Sequence, residues 1–107
     1  MSRFLKTLAV AAVLLVVTPA LSAPSVEIKN DAFAPSTLTI TAGETVTFTN
    51  DDDDAHTVTA NDGSFDSKGL DTNGRWRHAF VKPGTYTYFC ELHPFMKGTI
   101  VVKPVTQ

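Results

Sequence analysis

The chain has 107 residues, 43% of them hydrophobic and 19% charged, with nine basic and eleven acidic side chains and a formal charge of −2. That balance excludes a nucleic-acid binder working through clustered Lys and Arg, and the length suits one domain with a modest core. A single cysteine, Cys90, excludes an internal disulfide.

In chain order, basic Arg3 and Lys6, an apolar run from Leu8 to Val17 and the small residues Ala20, Ser22 and Ala23 come first. These are the three zones of a secretory signal over residues 1–23. An apolar run of about ten residues is short of the roughly 20 that span a bilayer, so the segment reads as a cleaved leader and not an anchor. The expected product is a domain over residues 24–107, periplasmic, monomeric and without stable membrane insertion. Its formal charge falls from −2 to −4, because the leader holds two of the basic residues and none of the acids.

Beyond Pro24 no useful helical period occurs, and two-residue alternation in Val, Ile, Thr, Tyr and Phe predicts an all-β fold. Val26 and Ile28 share one face, as do Leu38 and Ile40, Val46 and Phe48, and Ile100 and Val102, with threonines at the alternate positions. Turn chemistry at Ala42-Gly43, Asn61-Asp62-Gly63, Asn73-Gly74 and Pro83-Gly84 separates the runs. Seven to eight short strands at this spacing predict a β-sandwich, with residues 60–74 mostly loop. Trp76, His78 and Phe80 alternate on one strand face with no second metal donor beside His78, which therefore reads as structural.

The strand from Thr85 puts Tyr86, Tyr88 and Cys90 on one face and Thr87 and Phe89 on the other. After it come Cys90-Glu91-Leu92-His93-Pro94-Phe95-Met96. A thiolate, an imidazole and a thioether at even spacing can all point into one curled loop, which leaves a bound metal open on one side. His56 is the available further donor. Two histidines, a cysteine and a weak axial methionine form the blue-copper ligand set, soft enough for Cu(I) and suited through imidazole to Cu(II). The candidate metal ligands are thus His56, Cys90, His93 and Met96.

With these residues the sequence resembles the cupredoxins, and within them the amicyanin and plastocyanin-like group. The resemblance runs through nearly all of the chain after the leader. It is strongest over Pro83 to Cys90 and His93-Pro94-Phe95-Met96-Lys97-Gly98, with further likeness from Asn50 to His56 and from Gly63 to Ser67. It implies a Greek-key β-sandwich with one copper ion at its end, and an electron carrier, not an enzyme, exchanging one electron with partners such as a c-type cytochrome or a periplasmic dehydrogenase. It also implies that His93 emerges through an apolar patch including Pro94 and Phe95 while His56 stays buried. Many relatives carry asparagine after the first histidine ligand. Here the residue is Thr57, whose hydroxyl could make a shorter version of the same bond to the cysteine loop.

Other readings remain at this level. A copper carrier or delivery protein would use the same ligands. A multicopper enzyme needs more histidines than the three present, and a structural zinc site would not call for methionine. The run Asp51 to Asp54 reads as a solvated acidic loop before His56, or as a patch that steers a basic partner.

Overall fold

The computed structural model describes Ala12, Val13 and residues 23–106. Except for Ala12, Val13 and Ala23, the leader read over residues 1–23 lies outside the described residues. Eight strands follow: β1 (Ser25–Lys29), β2 (Ala32–Ala34), β3 (Thr37–Thr41), β4 (Thr45–Asn50), β5 (Thr59–Ala60), β6 (Arg75–Ala79), β7 (Gly84–Phe89) and β8 (Lys97–Lys103). They form two four-stranded sheets, ordered β2-β1-β4-β6 and β3-β8-β7-β5. β1 runs parallel to β4 and β3 parallel to β8, while the remaining pairs are antiparallel. The chain therefore crosses repeatedly from one sheet to the other, giving the all-β sandwich expected from the alternation.

That alternation is visible in what each strand buries. Val26 and Ile28 of β1, Val46 and Phe48 of β4, and Ile100 and Val102 of β8 face the core, with their neighbours outside or half-covered. Aromatic rings join the layers. Tyr88 of the second sheet meets Phe33 and Phe48 of the first edge-on, at centroid distances of 4.8 and 5.7 Å, a geometry favoured by the ring quadrupoles.

Strand β2 has no counterpart in the sequence reading. Three residues are too few to display a period, and the preceding turn, Asn30-Asp31, has no glycine. Both turn residues nevertheless take positive φ, 53° and 54°, and Lys29 pairs with Ala32 across them. This is a two-residue hairpin of the primed type, which asparagine and aspartate tolerate.

His78 lies in β6, stacked on Trp76 at 5.2 Å and 15° and edge-on to Phe80 at 4.8 Å. Burial among these rings lowers its pKa from the ordinary 6.5. The unfolded chain therefore takes up this proton at higher pH than the folded one. Stability is full above about pH 6.5 and declines as pH falls toward the lowered folded value. His78→Phe should remove that part of the decline, seen as a smaller change in urea midpoint between pH 7.5 and 5.5 than in the parent.

Tyr88 and Gly98 are cross-strand partners in β7 and β8. A Cβ at residue 98 would run into the Tyr88 ring, so glycine here makes room for the largest fully buried side chain. Gly98→Ala should cost about 1–3 kcal/mol by overpacking, measurable as a lowered urea midpoint of the metal-free protein.

Candidate metal centre

The end of the sandwich where β7 gives way to the 90–96 loop brings together three donors. His56 Nδ1 lies 3.6 Å from Cys90 Sγ, and His93 Nδ1 lies 3.8 Å from the same sulfur. The three donor atoms fall within 4.8 Å of one another. Cys90 and His56 are fully buried, and His93 is half-buried. With bond lengths of about 2.3 Å to sulfur and about 2.0 Å to nitrogen, and angles of about 110–120°, a first-row ion needs S···N separations of about 3.5–3.7 Å. The His56 distance of 3.6 Å falls in that range, and the His93 distance of 3.8 Å lies about 0.1 Å beyond it. Thiolate plus two imidazoles is also the donor chemistry of a copper site.

Backbone hydrogen bonds shape the loop. Cys90 N–H donates to Met96 O, His93 N–H to Cys90 O, and Met96 N–H to His93 O, at 3.2, 3.3 and 2.8 Å. The segment is thus a closed curl with Cys90 at its start and Met96 at its end. Met96 is 2% exposed and belongs to the core cluster that includes Cys90. Leu92 and Phe95 project outward, 58% and 68% exposed. The Phe95 ring stands edge-on to His93 at 6.0 Å, which produces the apolar surface beside His93 that the resemblance implied.

His56 comes from a different part of the chain, and its backbone is pinned to Leu70. His56 N–H donates to Leu70 O at 3.1 Å, and Leu70 N–H returns to His56 O at 2.8 Å. Asn50, wholly buried at the end of β4, organises the approach. Its amide donates to Asp54 O and Leu70 O, while its Oδ1 accepts from Asp52 N–H. The 51–56 loop thereby becomes a fixed arch. Residues 65–70, expected as loop, lie along the 56–60 segment through bridges at His56–Leu70 and Thr59–Asp66.

Thr57 joins the two halves of the site. Its N–H donates to Cys90 Sγ at 3.3 Å, and its hydroxyl oxygen accepts from Glu91 N–H at 2.8 Å. The hydroxyl also lies 3.0 Å from Thr59 Oγ1, which donates onward to Asp66 Oδ1. The side chain therefore braces the cysteine loop, as the sequence allowed.

Sequence reasoning missed Asp52. Three of the four consecutive aspartates, Asp51, Asp53 and Asp54, face solvent. The Asp52 side chain is only 15% exposed, and its Oδ2 sits 2.9 Å from His56 Nε2. Asp52 also accepts the backbone N–H groups of Asn30 and Asp31 at 2.7 and 3.0 Å. These contacts, Asp31 N–H foremost, hold its carboxyl below the ordinary 3.8 against the opposing effect of burial. The only available signal was position, four residues before a candidate ligand. On the outer side, carboxylates of Asp31 and Asp54 lie within 4.8 Å of a His93 ring nitrogen.

A model of the cupredoxin-like domain matches residues 5–102. Amicyanin-alpha of Methylorubrum extorquens is 34% identical over 110 residues, covering 96% of this chain and 92% of that protein. A structure of an amicyanin variant in its reduced Cu(I) form superimposes with a TM-score of 0.71 at 29% identity, covering 78% of this chain and 85% of that one. A copper-containing nitrite reductase from Thermus scotoductus aligns with a TM-score of 0.74 at 32% identity, over 79% of this chain but 23% of the enzyme.

Thr57→Val keeps the shape and removes the acceptor for Glu91 N–H. It should lower stability by about 1–2 kcal/mol, read from urea unfolding of the metal-free protein, while Thr57→Ser should recover most of the loss.

Proposed function

This chain belongs to the cupredoxin-like family, and from that premise we propose that it is a blue-copper electron-transfer protein whose ligands are His56, Cys90, His93 and, more weakly, Met96. The observation that carries the proposal is the meeting of one sulfur and two imidazole nitrogens at metal-ligand separations. Copper held there would supply a one-electron Cu(I)/Cu(II) couple.

The protein's part is to keep its donors where they are. The arch tied by Asn50 and the loop closed by its own backbone hydrogen bonds hold the ligands in place whatever charge the site carries. A site that need not rearrange loses little to reorganisation when an electron arrives or leaves. Burial of His56 and Cys90 leaves half-buried His93 as the edge nearest a partner. Exposed Leu92 and Phe95 provide an apolar contact surface beside it.

The partner is a redox protein, such as a c-type cytochrome or a periplasmic dehydrogenase. Acidic Asp31 and Asp54 beside His93, with Asp51 and Asp53 also exposed, favour one with a basic contact face. The basic, apolar and small-residue zones of residues 1–23 support export to the periplasm.

One equivalent of Cu(II) added to the metal-free protein should give an intense copper–thiolate absorption that one electron equivalent of reductant bleaches. Cys90→Ser should abolish the band. Absence of the band in the parent protein overturns the proposal. Ready surrender of copper to an acceptor protein, without electron exchange with a cytochrome, would favour copper delivery instead.

A further inference from the structure

The contact between Asp52 and His56 goes beyond holding the loop together. His56 is fully buried and presents Nδ1 to Cys90 Sγ at 3.6 Å. Its other nitrogen, Nε2, lies 2.9 Å from Asp52 Oδ2, with Asp31 Oδ1 farther off at 3.6 Å. An ionised carboxylate can only accept a hydrogen bond, so in the neutral ring the proton belongs on Nε2 and the lone pair on Nδ1.

Asp52 is itself held from several directions. Its oxygens take the Asn30 and Asp31 N–H groups, its own N–H donates to Asn50 Oδ1, and its carbonyl accepts from Thr72 Oγ1 at 2.7 Å. A carboxylate so placed cannot swing away from the imidazole without giving up two backbone donors of the β1–β2 turn. The turn and the histidine therefore fix the same side chain.

We propose that Asp52 is a positioning residue of the metal centre: its carboxylate fixes the Nε2-protonated form of His56, aims Nδ1 at the ion and favours Cu(II) over Cu(I). The inference rests on the copper reading above. A carboxylate that accepts the imidazole N–H draws that proton toward itself and makes the opposite nitrogen a stronger donor. The carboxylate also places a negative charge across one imidazole ring from the ion. Both effects favour the more highly charged oxidation state.

The test compares the parent protein with Asp52→Asn, which preserves shape and removes the charge. Loss of such an outer partner costs about tenfold or more in metal affinity. If the loss falls on Cu(II), a tenfold change raises the one-electron reduction potential by about 59 mV. Voltammetry of the copper-loaded proteins should show this rise while the copper–thiolate band persists. In the unsubstituted metal-free protein, long-range proton–nitrogen NMR of the His56 ring should find the proton on Nε2. That measurement does not depend on whether the variant folds.

A parent ring protonated on Nδ1 overturns the inference. So does an Asp52→Asn potential equal to the parent's, since a purely structural side chain would weaken both oxidation states alike. No copper–thiolate band in the parent overturns the copper reading itself, a result separable from either of these.

Discussion

The Thr57 N–H that points at Cys90 Sγ is the contact through which the two halves of the site meet. A sulfur acceptor inside an apolar sandwich needs donors around it, and few backbone N–H groups near the sandwich end are free of the sheet ladders. Thr57 supplies one because the 56–60 segment bonds to 65–70 at only a few points. The same residue then takes Glu91 N–H on its hydroxyl. Two segments separated by 34 residues in sequence are thus joined at adjacent atoms, and His56 is placed as a consequence.

Around that joint the polar groups are satisfied in a chain that runs from surface to interior. Asn50 uses both its amide and its carbonyl within one arch. Asp52 uses both carboxylate oxygens on three donors. Buried polar groups connected in this way restrict each other to one arrangement, which an apolar filling of equal volume would not do. The sandwich below contributes stiffness through interlocked rings, and the polar network above it contributes direction.

The strands were legible because their two-residue period is written in Val26, Ile28, Val46, Phe48, Ile100 and Val102, each of which the fold buries. The 90–96 loop was legible because donor types that rarely neighbour each other occur at even spacing. The nearness of His56 was an inference from chemistry alone, since no local pattern ties it to a residue so distant in sequence. What stayed hidden depends on geometry that has no period. The Asn30-Asp31 turn lacks the glycine that usually marks positive φ, and Asp52 is chemically identical to its three neighbours in the run. Only the arch decides that Asp52 turns inward while Asp51, Asp53 and Asp54 face water.

Strand β8 lies between β3 and β7, paired parallel to one and antiparallel to the other. A chain synthesised only as far as Met96 would leave both flanking strands with open edges, and the 90–96 curl would lack the anchor that follows it. Such distant pairing is slow, because a long loop must close before any contact compensates for it. The 90–96 curl is therefore held at both ends only once this sheet closes, so the far side of the site takes its final shape late in folding.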